Sequence, residues 1–317
     1  TNIATGDLLT SAGAVDNYSQ MNVEGDIRMN GISRLTNTFG AKLTMNGGDI
    51  AGAVTNNGTM VVNTDTEIDG TLTNGTYADL TLNSTGGASV TLTVADSFTN
   101  YGTVDGTGTG ALTIATGTYI NAGGTVTNVN VVGNLQNQAV LNYDEDAFLN
   151  GSLTNTATGD VTVSAALDMN NNNVTNHGDF IVTTDADSVG NLHSVANLVN
   201  EANFTIAPRG TVSANQVNNR DGGVMNVAGT LNSVTQVNNT GADLTISGLV
   251  NAAGGVVNRS TPTETGQITM AGGRIVGAVT NYAQLGGAGF IDGVVTNYGT
   301  VAPVGGTLDV DGLINHE

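Results

Sequence analysis

Few residue combinations in this 317-residue chain could carry chemistry. Asp144-Glu145-Asp146 is the densest acidic run. Its oxygens could serve calcium, which takes several carboxylate or carbonyl ligands, but the run reads more simply as a solvated loop. Asp65 with Glu67, and Asp185 with Asp187, stand two apart and so share one face of a strand. Paired carboxylates can cleave glycosidic bonds. Such sites usually hold basic residues beside the acids, whereas Lys42 is the only Lys here and the Arg residues are scattered. His177, His193 and His316 have no partner His or Cys at zinc spacing, and read as surface or corner residues. Gly106-Thr107-Gly108-Thr109-Gly110 lacks the Lys of a phosphate loop and any following helix, so it reads as a corner. The expectation is a chain with no catalytic activity and no cofactor, calcium being the one ion considered.

The residue that recurs is Asn. A three-residue word, an aliphatic or aromatic residue, then usually Thr, then Asn, ends at Asn17, Asn37, Asn56, Asn74, Asn100, Asn121, Asn137, Asn155, Asn176, Asn200, Asn219, Asn239, Asn258, Asn281, Asn297 and Asn315. Asn121 and Asn258 are the weakest registrations, because a second Asn lies nearby. The span from Asn17 to Asn315 gives a mean step of about 20 residues, within the range of solenoid repeats. A side-chain amide both donates and accepts. Stacked at one corner, these residues would form a ladder of amides, and Asn also tolerates the left-handed backbone a sharp corner can need. A row of Asn ligands for a sugar or ion is the competing reading. Tyr18, Tyr101, Tyr282 and Tyr298 each follow an Asn of the word, so their rings could line one edge and stack on sugars or on a partner, ordinary corner packing being the simpler reading. Asn-x-Ser/Thr sequons occur, for example at Asn17, Asn57, Asn83 and Asn203, and matter only in a host that glycosylates.

The elements that must position these residues follow from composition. Charged residues make up 11% of the chain, and Gly, Asn, Thr and Val dominate. Apolar residues alternate with polar ones, as in Leu80-Thr81-Leu82 and Val161-Thr162-Val163, which is the period of a strand with one buried face. Units far apart match in spacing, as in Leu43-Thr44-Met45-Asn46-Gly47-Gly48-Asp49-Ile50 and Ile268-Thr269-Met270-Ala271-Gly272-Gly273-Arg274-Ile275. Three short strands and three corners use about 20 residues, so one repeat is one triangular turn. The predicted fold is all-β: a right-handed parallel β-helix, or β-solenoid, of about sixteen coils with about 20 residues per coil, forming one body over residues 1–317. At about 4.8 Å per turn that predicts a rod of roughly 75–80 Å. Loops inserted in longer steps, Ser84-Thr85-Gly86-Gly87-Ala88 and Ser260-Thr261-Pro262-Thr263-Glu264-Thr265, are the expected places for partner contacts.

The aliphatic-x-Asn-x-Gly-Thr style, clearest in Val295-Thr296-Asn297-Tyr298-Gly299-Thr300-Val301-Ala302-Pro303 and on through Gly306-Thr307-Leu308-Asp309-Val310-Asp311-Gly312, resembles autotransporter passenger domains and filamentous-haemagglutinin-like adhesins. That resemblance implies a secreted bacterial right-handed β-helix. The C-terminal membrane barrel of autotransporters has no counterpart in this sequence.

The net charge of −20 disfavours nucleic acid as a partner. There is no apolar run of membrane-spanning length. A sequence opening at Thr1 suggests a processed, exported chain, and an extracellular or cell-surface location is expected. Thr1-Asn2-Ile3-Ala4-Thr5-Gly6-Asp7-Leu8 nearly repeats Thr154-Asn155-Thr156-Ala157-Thr158-Gly159-Asp160-Val161. This places Asn2 at the Asn corner, where Leu313-Ile314-Asn315 also lies. Copies could then stack head to tail by strand addition into filaments. The functional expectation is therefore a self-assembling filament or matrix subunit. The alternatives are an adhesin or passenger stalk that binds surface glycans, and a polysaccharide lyase or hydrolase of the β-helix type.

Overall fold

Alternation of Val, Leu, Ile and Met with Thr, Asn and Asp gives short strands whose inward residues are buried and whose outward residues are not, as in Lys42–Met45 and Thr59–Val62. The computed structural model describes residues 1–4, 6, 8–29, 34–108, 110–185 and 188–316. Thr5, Asp7, Thr109 and Asp187, which enter the sequence reading, lie outside the described residues. The described chain contains strands and no helix, and winds as a parallel β-solenoid of about 15 turns with about 20 residues per coil.

The chain divides into two compact units: Thr1–Asn142 with Ala147–Gly151, and Tyr143–Asp146 with Ser152–Glu317. In the first, the opening turns each contribute three strands that lie on their counterparts one turn away. Gln20–Val23, Asp26–Met29 and Arg34–Asn37 are followed by Lys42–Met45, Ile50–Ala51 and Ala53–Asn56. Gln20 pairs with Lys42, Ile27 with Ile50 and Leu35 with Val54, all in parallel. The inward residues therefore form columns. One column runs Met21, Leu43, Met60, Leu80, Val104, Val126, Leu141, and every member is buried. Phe98 stacks on Tyr119 with ring centroids 4.5 Å apart.

In the second unit, Val161, Phe180, Phe204, Met225, Leu244, Ile268 and Leu285 make the equivalent column, with Phe180 stacked on Phe204 at 4.7 Å. Like side chains stacked along a parallel sheet place apolar groups against one another turn after turn, as a well-packed core requires. In several turns neighbouring strands fuse, the second with the third in Ala166–Asn176 and the first with the second in Gln267–Val276. The corner between them then becomes a bulge where register shifts, for example between Asp168 and Asn172. Asn170 and Asn171 take φ of 46° and 62° there.

Two expectations are corrected. Asn2 is not at the Asn corner: Asn2 pairs with Asn22 and Ile3 with Val23. The word needs an inward aliphatic residue before Thr-Asn, and Thr1-Asn2 has none, so alternation instead buries Ile3 and turns Asn2 outward. The ladder asparagines do not use the left-handed backbone either. Among the described residues, the non-Gly positions with positive φ are Asn128, Asn170, Asn171, Ser194, Arg209 and Asp221.

Some corners after the word, those of the Asn-x-Gly units, need a glycine for a different reason. A Cβ on Gly102 would sit on the carbonyl oxygens of Gly75 and Ala78, and one on Gly178 on those of Thr156 and Gly159. Both lie two residues after a ladder Asn, as Gly58 and Gly299 do, and the same clash awaits a Cβ at those positions. The glycine of the Asn-x-Gly unit is thus required by the close approach of the neighbouring turn.

Two substitutions test this packing by denaturant unfolding. Gly102→Ala is expected to destabilise by about 1–3 kcal/mol, the usual cost of overpacking, and an unchanged midpoint would refute the clash. Tyr143 is fully buried with no hydrogen-bond partner for its hydroxyl, and burial pushes its pKa above the usual tyrosine range. Tyr143→Phe removes an orphaned polar group, whose burial costs about 1–3 kcal/mol. It is expected to leave stability unchanged or raise it.

Candidate functional site

Each word lies at or one residue before the end of a strand, and from Asn17 to Asn297 its Asn is turned inward and buried among the aliphatic columns. In the first unit Nδ2 of each ladder Asn donates to Oδ1 of the next, from Asn17 through Asn37, Asn56, Asn74, Asn100 and Asn121 to Asn137, at 2.7–2.9 Å. In the second unit the same chain runs from Asn155 through Asn176, Asn200, Asn219, Asn239, Asn258 and Asn281 to Asn297 and Asn315, at 2.7–2.8 Å. Asn121 and Asn258 occupy full places in it.

The second Nδ2 hydrogen reaches a backbone carbonyl of the following turn, as Asn17 does with Lys42 and Asn176 with Asn203. Oδ1 also accepts the backbone N–H two residues on, as at Gly102, Gly178 and Gly299. This bond holds the corner that a left-handed residue would otherwise have to make. In the interior turns both donors and the acceptor are consumed, so the ladder holds the turns and has nothing left for a ligand.

The position after each ladder Asn forms an outer column. In the second unit Tyr282, Tyr298 and His316 stack with centroids 4.8 and 4.3 Å apart, and the Arg259 guanidinium lies 5.2 Å above the Tyr282 ring. These rings present edges outward, because their faces are taken by one another and by Arg259. Of the two readings of Tyr282 and Tyr298, the stack matches ordinary corner packing and leaves no ring face of either for a sugar. Further along the same column, Glu201 pairs with His177 at 3.0 Å and with Arg220 at 2.7 Å. Tyr18 and Tyr101 are exposed and stand outside this stack. The residue-after-Asn position was the signal for the Tyr residues, and it also contains Arg259, Glu201, Arg220 and the two His.

A separate groove of about 570 Å³ runs over the second unit, lined by Asn171, Ser194, Asn215, Val234, Ala253 and Val276 among others. Asn215 Nδ2 donates to Asn171 Oδ1 at 3.1 Å across two turns, and the corner at Ser194, with φ of 55°, lies between them. Val234 is 67% exposed.

Beside the groove, Ser194, His193 and Asp168 meet. His193 Nδ1 lies 3.1 Å from Ser194 Oγ and 3.6 Å from Asp168 Oδ1. Partial burial pushes the Asp168 pKa up. The backbone N–H of Asn170, the Ser194 hydroxyl and His193 together outweigh that and hold it below the usual value. A nucleophilic relay needs hydroxyl and carboxylate on opposite ring nitrogens, whereas both contacts here use Nδ1.

Several of these acidic side chains accept from backbone. Asp65 Oδ1 accepts from Thr91 N at 2.8 Å, Asp49 Oδ1 from Glu67 N at 3.2 Å, Asp146 Oδ1 from Ala166 N at 3.0 Å, and Asp185 Oδ1 from Ser188 N at 2.7 Å. Among the described residues no group of three or more His, Asp or Glu is placed to hold a metal ion. The loop at Ser260–Thr265 closes on itself, Glu264 N donating to Thr261 Oγ1 at 2.9 Å.

Asn176→Ala is expected to orphan the Asn155 donor and one side of the Asn200 acceptor, at about 1–3 kcal/mol for each buried group left unsatisfied. Chemical denaturation is the measurement, and wild-type stability would refute the ladder's structural role. Comparisons with protein-family models, curated proteins and solved structures found no match for this chain.

Proposed function

We propose that this chain is a structural, non-catalytic element of an extracellular or cell-surface assembly, which lengthens by stacking copy on copy through strand addition. The observation that carries this reading is the constant register of the turns. Val279, Thr280 and Asn281 pair with Val295, Thr296 and Asn297, which pair in turn with Leu313, Ile314 and Asn315. A face built this way fits the opposite face of any other turn of the same kind. The acidic charge keeps a large β-structure soluble, and the Asn-x-Gly-Thr style that resembles secreted adhesins supports a location outside the cell.

A second reading, an adhesin or passenger stalk that binds surface glycans, draws on the groove over Asn171, Asn215 and Val234, where amides and an exposed apolar side chain lie together.

Negative-stain microscopy and sedimentation across salt and calcium concentrations test the leading reading. Filaments of unlimited length are expected, and discrete monomers under all conditions would overturn it. Retention of specific oligosaccharides on a glycan array, lost in Asn215→Ala, would favour the second reading.

A further inference from the structure

The groove over the second unit is built by six consecutive turns. Asp168 pairs with His193 and Asn172 with Val195, which sets the corner at Asn171 against Ser194. Val195 then pairs with Ala214, Ala214 with Ser233, Ser233 with Ala252, and Asn251 with Val276. Each turn brings one exposed residue to the groove, in the order Asn171, Ser194, Asn215, Val234, Ala253 and Val276. The steps between these turns span about 24 Å along the axis, at about 4.8 Å each.

Unlike the buried ladder, this surface keeps hydrogen-bonding groups unused. Asn251 Nδ2 donates to Asn232 Oδ1 at 2.8 Å, and Asn232 Nδ2 to Ser213 Oγ at 3.2 Å. Asn251 Oδ1 is left as an acceptor and the Ser213 hydroxyl as a donor, neither with a partner among the described residues. Asn215 Nδ2 donates to Asn171 Oδ1, so Asn215 Oδ1 and Asn171 Nδ2 stay open in the same way. Val234, Ala253 and Val276 add an apolar strip beside these groups. No residue lining the groove is charged, in a chain whose net charge is −20.

We propose that the groove holds an uncharged linear polysaccharide lying parallel to the solenoid axis, about one sugar to a turn. This rests on the glycan-binding reading above and adds the ligand's class, direction and length. Three observations select that occupant. An uncharged lining on an acidic chain repels polyanions and offers no ion pair to a cation. Open amides and a hydroxyl beside an apolar strip match a sugar ring, which carries hydroxyls at its edge and C–H groups on its faces. The groups also recur at the height of one turn, about 4.8 Å, and a pyranose ring with its glycosidic oxygen advances a straight chain by nearly that length. An extended polypeptide repeats every two residues, about 6.6 Å, and falls out of step within the groove.

Calorimetric titration of the whole chain with cello-, xylo-, manno- and chito-oligosaccharides, each in a series from dimer to octamer, tests the proposal. In at least one series affinity is expected to rise with each added sugar and to level off at about five units, the length of the groove at one sugar per turn. Asn215→Ala is expected to weaken the longest oligomer about 3–10-fold, the worth of a hydrogen bond. Val234→Asp, which places a carboxylate on the apolar strip at a site 67% exposed, is expected to weaken it at least as much. Unchanged denaturation midpoints show that both variants keep the fold. Affinity that stops rising at the disaccharide, oligogalacturonate bound as tightly as its neutral counterparts, or binding indifferent to both substitutions overturns the proposal and leaves glycan binding standing. An uncharged extended peptide of Ser, Thr and Val that binds in the groove where the sugars do not assigns it to a polypeptide and overturns the proposal. No binding by any sugar series overturns the glycan reading as well.

Discussion

A buried amide must satisfy every donor and acceptor it carries, and this requirement organises the molecule. Asn placed against aliphatic columns would be destabilising in isolation, because unpaired polar groups in such surroundings cost about as much as a hydrogen bond contributes. Only a neighbour of the same kind, one turn away and at the same height, supplies the missing partner. Register is therefore fixed turn by turn. A slip of one residue would turn the aliphatic residues outward as well as break the amide chain.

The glycine of the Asn-x-Gly unit belongs to the same constraint. With Asn37 held against Asn56 at 2.7 Å, the segment after Asn56 passes so close to the carbonyls of Thr38 and Ala41 that Gly58 has no room for a side chain. The strand period, the amide and the glycine thus act together, which is why the word survives where loops of different length interrupt it.

Much of the fold was legible because these requirements repeat. Asn121 and Asn258 were the doubtful registrations in the sequence, yet pairing settles both: Asn121 lies on Asn100 and Asn137, and Asn258 on Asn239 and Asn281. The placement of Asn2 was not legible, because a local match to Thr154–Val161 says nothing of the inward residue that must precede Thr-Asn. The backbone of the ladder residues was misjudged for a related reason: the Asn side chain accepts the N–H two residues on, which makes the turn without left-handed φ. At the surface the sequence located Tyr282 and Tyr298 but not the direction of their rings, which depends on stacking with Arg259 and His316 from other turns. Ser194 and His193 meet Asp168 across a pairing of strands 20 or more residues apart, and no short motif signals it.

The loop at Ser84–Ala88 illustrates what such an organisation permits. Its base is stapled by Ser84 Oγ donating to the Ala88 carbonyl at 2.5 Å. Its tip, Gly86-Gly87, is exposed with positive φ at both residues, and a Cβ on Gly86 would meet nothing. Because the staple isolates the tip from the ladder, foreign sequence grafted between the two glycines would leave the hydrogen bonds of the turn untouched. The loop is in that sense a place where length and sequence can vary without disturbing the turn beneath it.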